Sequence, residues 1–174
     1  MPSTPLVVNA AELLRRPGSD RLVHLEVTPE ELGIDDPRLV AGEPVVLDLR
    51  LEALTDGILV HGTVRARWAG VCRRCLTDVG GAAVADVEER YQLVLTDPDA
   101  FPLVDDQIDL RTVAGQLVLL EMPAAPLCRE DCAGLCPICG VDRNTAICEC
   151  TEAPSDSVWS VLEALRDPDE PAPG

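Results

Sequence analysis

The chain has 174 residues, 47% of them apolar, which suffices for one compact domain and an appendage. Its formal net charge is −17, and all fourteen basic side chains are arginine. This balance excludes a protein that coats nucleic acid by bulk charge, and no stretch approaches the roughly 18 consecutive apolar residues of a membrane-spanning helix. Trp68, Tyr91, Phe101 and Trp159 are the aromatic residues, so Leu, Val and Ala must fill the interior.

In chain order, Asn9-Ala10-Ala11-Glu12 reads as a capping box that opens a short helix through Arg16, ended by Pro17-Gly18. Strands follow. Arg21 to Val27 alternates weakly, and Val45 to Leu51 puts Val45, Leu47, Leu49 and Leu51 on one face against Asp48, Arg50 and Glu52. Thr55-Asp56-Gly57 is a hairpin turn, after which Ile58, Val60, Val64, Ala66 and Trp68 face inward and His61, Thr63, Arg65 and Arg67 outward. The next turn carries Cys72 and Cys75. A strand from about Ala82 to Leu95 places Ala83, Ala85, Val87, Tyr91, Leu93 and Leu95 in one phase. Asp109 can cap a helix from Leu110 to about Met122 with Val113, Leu117 and Leu120 on one face, stopped by Pro123. After a cysteine-rich stretch, Ser157 to Arg166 shows Val158, Val161, Leu162 and Leu165 at helical spacing, and Asp167 to Gly174 has the composition of a disordered tail.

The expected fold class is therefore α+β, an antiparallel β-meander, open or barrel-like, with a few helices and a C-terminal Cys-rich zinc-binding segment. Its expected divisions are a β-rich core over 1–122 with the first helix and one following helix, a zinc-binding segment over 123–152, a helix over 153–166 and a tail over 167–174.

Eight cysteines carry the chemistry: Cys72, Cys75, Cys128, Cys132, Cys136, Cys139, Cys148 and Cys150. Met1 to Gly18 has no basic start followed by an apolar stretch, so the chain is expected in the reducing cytoplasm, where such spacing points to metal before disulfides. A Cys-x-x-Cys turn presents two thiolates to one ion, with Zn–S near 2.3 Å in a tetrahedral site. In Cys136-Pro137-Ile138-Cys139-Gly140 the proline pre-sets the turn and the glycine can take the positive φ that aims N–H groups at sulfur. Cys136, Cys139, Cys148 and Cys150 are assigned to one structural Zn²⁺. Cys72 and Cys75 are left to meet Cys128 and Cys132 across the fold, and a different sorting of the late cysteines stays open, so the expectation is one or two ions.

Arg65, Arg67, Arg73 and Arg74 form a basic island without an acidic residue between His61 and Leu76. They are candidate RNA contacts; if all four neutralised phosphates, log K against log salt would slope near about −3. The competing reading is that they screen the charge of a thiolate site. Enzymatic machinery is poorly supported: His24 and His61 sit in predicted strands, and there is no glycine elbow, phosphate-cradling loop or paired-carboxylate motif. No catalytic residue and no small-molecule substrate are expected.

The order of parts is Cys72-x-x-Cys75-Leu76 after a β-hairpin, a helix carrying Glu121 before Pro123, then Cys128-x-x-x-Cys132-Ala-Gly-Leu-Cys136-Pro-Ile-Cys139-Gly-Val-Asp-Arg-Asn144 and a final Cys-x-Cys. It resembles the YceD family, the large ribosomal RNA subunit accumulation proteins, in the version common in actinobacteria. The resemblance runs from about residue 20 to 165; Asp142 and Arg143 depart from the family's more usual Asn-Leu. It implies a non-enzymatic role in synthesis, processing or stability of 23S ribosomal RNA, with pre-50S particles or a basic ribosomal protein such as L32 as partners. The alternative is a zinc-dependent protein-interaction module in transcription or regulation.

Overall fold

A computed structural model describes residues 6–150, in two compact units that divide between Cys132 and Ala133. The helix expected over 153–166 and the tail over 167–174 lie outside the described residues. In chain order the elements are β1 (Val7–Asn9), α1 (Ala11–Leu14), β2 (Asp20–Val27), a 3₁₀ turn (Glu30–Leu32), β3 (Val45–Ala53), β4 (Gly57–Val71), β5 (Asp78–Gln92), β6 (Phe101–Pro102), β7 (Gln107–Asp109) and α2 (Arg111–Glu121). This is an α+β arrangement dominated by antiparallel sheet, with strand order β2-β3-β4-β5-β6 and a parallel β5–β6 edge. The sheet is open. No described strand joins β6 back to β2, so the barrel-like closure is not formed; β1 pairs with β7 in a separate two-stranded sheet.

Strict alternation specifies the register. Val45, Leu47, Leu49, Leu51 and Ala53 of β3 are all buried and face Ile58, Val60, Val64 and Ala66 of β4 and Ala83, Ala85, Val87 and Tyr91 of β5 on the same side of the sheet. Each such leucine or valine, fully buried, contributes about 1.5–3 kcal/mol of transfer free energy. The inward phase of β4 is interrupted at Gly62, where φ is +146° and any Cβ would stand 2.1 Å from the Asp48 carbonyl oxygen, so only glycine permits β3 to pass so close. One side of the sheet is covered by Leu6, Ile108, Leu110 and the α2 residues Val113, Ala114 and Val118.

Three local expectations are corrected. The first helix is a single turn, Ala11–Leu14: Asn9 Oδ1 accepts the N–H of Ala11 at 3.0 Å at its start, and at its other end Arg16 N–H donates to the Leu13 carbonyl (2.9 Å) and Gly18 N–H to the Ala53 carbonyl (2.8 Å), which draws the chain off before Arg16 can extend the helix. β5 ends at Gln92, and Leu93 and Leu95 are exposed: the Gln92 side chain accepts the N–H groups of Thr96 and Asp97, both at 3.1 Å, and donates to Asp56, which turns the chain away. Leu120 is 78% exposed, since the buried stripe of α2 runs through Leu110, Val113, Ala114 and Val118 with Leu120 on its flank at the helix end. Asp109 does serve α2 from outside, its Oδ1 accepting the Arg111 N–H at 3.0 Å. No described helix is long and apolar enough to cross a membrane.

Candidate metal centres

The β4–β5 hairpin runs far beyond the stretch of β4, Ile58 to Arg65, that pairs with β3, and the turn at its far end carries the first cysteine pair. The turn is built by two backbone bonds: Leu76 N–H donates to the Cys72 carbonyl (2.9 Å), and Cys72 N–H donates to the Thr77 carbonyl (2.8 Å). To close that way Leu76 adopts φ +60°, left-handed for a branched side chain. Cys128 and Cys132 are brought to this turn by the segment after α2, where Pro126 accepts the Arg73 N–H at 2.9 Å. The sulfur atoms of Cys72 and Cys132 stand 3.8 Å apart and those of Cys75 and Cys128 3.6 Å. Cys72, Cys75 and Cys132 are buried and Cys128 is exposed.

In the second unit the same knuckle recurs. Gly140 N–H donates to the Cys136 carbonyl (2.9 Å), Cys136 N–H to the Val141 carbonyl (2.8 Å), and Gly140 has φ +72°. Ile138 N–H points at the Cys136 sulfur at 3.4 Å, and Cys150 N–H at that of Cys148 at 3.4 Å. Asn144 braces the return, its Oδ1 accepting the Ala133 N–H (2.8 Å), while Asp142 Oδ1 accepts the Asn144 N–H (2.9 Å). The sulfur of Cys148 lies 3.3 Å from that of Cys136 and 3.5 Å from that of Cys139.

Thus the structure gathers Cys72, Cys75, Cys128 and Cys132 in one group and Cys136, Cys139, Cys148 and Cys150 in another, with ligand atoms within 4.8 Å of one another in each. Sulfurs at about 2.3 Å from the centre of a tetrahedron stand about 3.8 Å apart, so both groups have the dimensions of a four-sulfur metal site. Their electrostatics agree. Burial raises the Cys72 thiol, but the N–H groups of Cys75, Cys128 and Arg74 outweigh it and bring its pKa down to about 6. Cys128, exposed as a residue, is pushed up to about 12 by desolvation of its thiol and by the sulfurs of Cys132, Cys75 and Cys72. In the second group the N–H groups of Cys139 and Ile138 lower Cys136 to about 6, while the sulfurs of Cys148 and Cys139 raise Cys150 to about 12. One thiolate forms readily in each group and the last is opposed by its neighbours; a cation at the centre removes that opposition.

The arginine island is divided by the structure. Arg74 Nη1 donates to the carbonyls of Cys132 (2.9 Å) and Glu130 (3.3 Å), tying the late cysteine loop to the knuckle. Arg65 pairs with Asp48, whose other oxygen lies 2.6 Å from His24 Nδ1. All four arginines are exposed, and Arg67, on the outward face of β4, and Arg73, in the first knuckle, have no side-chain partner among the described residues. Sequence reading missed Leu76 and Thr77, whose hydroxyl lies 3.3 Å from the Cys75 sulfur; the signal available was that both follow a Cys-x-x-Cys, as Gly140 and Val141 do.

The family model described as large ribosomal RNA subunit accumulation protein YceD matches residues 60–166, from β4 through both cysteine groups. The chain belongs to this family. Among similar proteins is an uncharacterized protein of Mycobacterium tuberculosis, 38% identical over 155 residues that cover 80% of this chain and 71% of the relative. An uncharacterized protein of Mycobacterium leprae is 35% identical over 181 residues, covering 97% of this chain and 81% of its own. No solved structure matches significantly. For a YceD-family chain the reading that follows is a role in accumulation of large-subunit ribosomal RNA.

Proposed function

We propose that this protein is a non-enzymatic factor for the synthesis, processing or stability of 23S ribosomal RNA, a binding platform whose two four-cysteine groups each hold a structural Zn²⁺. The family match over both cysteine groups carries the reading. Zinc is favoured over other ions because the donors are four soft sulfurs with no water position left among them, the pattern of a site that folds and does not react. Cys72, Cys75, Cys128 and Cys132 would hold one ion and Cys136, Cys139, Cys148 and Cys150 the other. The ion supplies positive charge to thiolates that repel one another.

The net charge of −17 favours basic ribosomal proteins of the pre-50S particle as partners, with L32 as one candidate. Direct RNA contact falls to Arg67 and Arg73, because Arg65 and Arg74 already have acceptors within the protein. Two phosphate contacts give a salt slope of about −1.5 rather than −3. Deleting the gene and measuring 23S against 16S RNA tests the reading: a fall in 23S, with the tagged protein co-sedimenting with pre-50S particles, is expected. An unchanged ratio, with the protein only at the top of the gradient, overturns it.

A further inference from the structure

Between β2 and β3 the chain makes a long connection, residues 28–44, whose regular structure is the 3₁₀ turn Glu30–Leu32; connections longer than about 12–15 residues are uncommon in compact domains. This one is rigidly built. Thr28 and Glu31 form a reciprocal capping box, Thr28 N–H donating to Glu31 Oε2 at 2.8 Å and Glu31 N–H to Thr28 Oγ1 at 3.4 Å. Leu32 and Ile34 then anchor it in the core, where Ile34 and the Leu32 carbonyl line the space beside Gly115 of α2. Its second half is laced to β4: Val40 N–H donates to the Arg67 carbonyl (3.0 Å) and Ala69 N–H to the Arg38 carbonyl (2.8 Å). Asp36 holds the Arg38 guanidinium, so both charges of that pair are used internally.

The two halves leave a cleft of about 720 Å³ between them. Ile34, Leu39, Val40 and Pro44 give it apolar walls, and Glu30, Asp35 and Glu43 stand at it exposed, with no cationic partner within the described residues. No lysine or arginine lines it. Phosphate is therefore repelled, so this is not a nucleic-acid surface. A divalent ion is not held either, since the cysteine groups are the ones among the described residues that bring three ligand atoms within 4.8 Å. The Glu30 carboxylate is held by its own backbone N–H and by Thr28, so it is fixed in place, and none of the three carboxylates has its charge matched among the described residues. What an apolar trough with such carboxylates accepts is a side chain that is apolar along its stem and cationic at its end, which describes lysine and arginine. A trough of this volume, within the usual range of about 300–1,000 Å³ for binding clefts, takes several such stems from an extended chain.

We propose that this cleft is the docking site for an extended, arginine- and lysine-rich segment of a basic protein. It rests on the proposed function in one respect, that the partner is then a basic protein of the large subunit; the cleft itself lies before the residues matched by the family model. The stems lie on Leu39, Val40 and Pro44, with the buried Ile34 as the floor beneath them, and the charged ends reach Glu30, Asp35 and Glu43.

Fluorescence anisotropy of a labelled peptide alternating arginine with leucine, added to the full chain under reducing conditions, tests it. Saturable binding is expected, weakened about tenfold in the triple variant Glu30→Gln, Asp35→Asn, Glu43→Gln, whose circular dichroism and thermal unfolding stay those of the parent. Should the triple variant misfold, the single variants Asp35→Asn and Glu43→Gln, and amide shifts at Ile34 and Val40 on peptide addition, give the same decision. Equal affinity in the variants overturns the proposal, as does equal binding of an arginine–serine peptide or spermidine, which would leave the apolar walls unused. Polyuridylate that shifts the Ile34 and Val40 amides as the peptide does would also overturn it, in favour of nucleic acid. Peptide binding with unchanged 23S levels on gene deletion sinks the ribosomal reading and keeps the cleft; the reverse pair of results sinks the cleft alone.

Discussion

The two Cys-x-x-Cys knuckles share one backbone design and differ in what surrounds them. Residues 76 and 140 take the same left-handed conformation and the same two backbone bonds close each turn, yet one position is leucine and the other glycine. The first knuckle ends a long hairpin and buries three of its four cysteines, whereas Cys139 and Cys150 of the second are exposed and the described part of its unit has one isolated bridge, Leu135 with Asp142, in place of a sheet. The first centre therefore has a folded sheet beneath it, and the second has little to fold around except its sulfurs.

The largest expected effect follows from that contrast. An excess of chelator should abolish dispersed amide signals from residues 133–150 while the far-ultraviolet signature of the five-stranded sheet persists. Structural zinc contributes about 10–16 kcal/mol of apparent binding free energy in small sites, comparable with the whole stability of a small domain. Cys136→Ser should lose one zinc equivalent by native mass and open the C-terminal region to protease. A native mass equal to the bare polypeptide, with melting indifferent to chelator, would sink the zinc assignment.

Exchanging the residues at the left-handed positions sharpens the comparison. A Cβ at Gly140 meets no atom within 4 Å, so Gly140→Ala should weaken the second centre through backbone strain, by about 1–2 kcal/mol. Leu76→Gly should strengthen the first by up to about 1 kcal/mol, reduced by glycine's extra freedom in the unfolded chain. Competition with a chromophoric zinc chelator reads both; shifts of the same sign in the two variants would show that the turns are not equivalent. Smaller still, Arg74→Ala should speed zinc loss from the first centre by removing a cation from two carbonyls, a change of about 1 kcal/mol at a partly exposed site, whereas Arg73→Ala should leave it unchanged. Equal effects of both would mean that charge, and not the bond to Cys132, matters.

The smallest effect belongs to the open face of the sheet, far in kind from either knuckle. The hydrogen bond to Asp48, with the charges of Asp48 and Glu26, raises the His24 pKa above 6.5, and the same bond lowers that of Asp48. The stabilisation from His24 is thus complete below about pH 6.5 and lost as pH rises through its raised value, while that from Asp48 is lost as pH falls through its lowered one. Titration of the imidazole by NMR should show the raised value, and Asp48→Asn should return it toward 6.5; no change would remove the pair from the account.

Strands whose faces alternate without exception, as Val45 to Ala53 do, are legible because one residue of slip would expose every leucine. Convergence of the sulfurs was legible in part: Cys136 to Cys139 announces its turn through Pro137 and Gly140, and the eight-thiol total suggests two sets of four. Leu76 gives no such signal, since a leucine at a left-handed position contradicts its own local preference. Leu93 and Leu95 continue the alternation of β5 in sequence, but the Gln92 side chain captures two backbone N–H groups and ends the strand.

Composition, periodicity and cysteine spacing by themselves determined an acidic α+β chain with a meander and two potential four-sulfur groups, because burial pattern and ligand spacing are local properties. Only the tertiary structure decided that the sheet stays open, that Arg65 and Arg74 find acceptors within the protein while the side chains of Arg67 and Arg73 meet none among the described residues, and that residues 28–44 enclose an acidic cleft. Each of these depends on which distant backbone carbonyl or side chain a residue meets, and that is set by the packing of the whole chain.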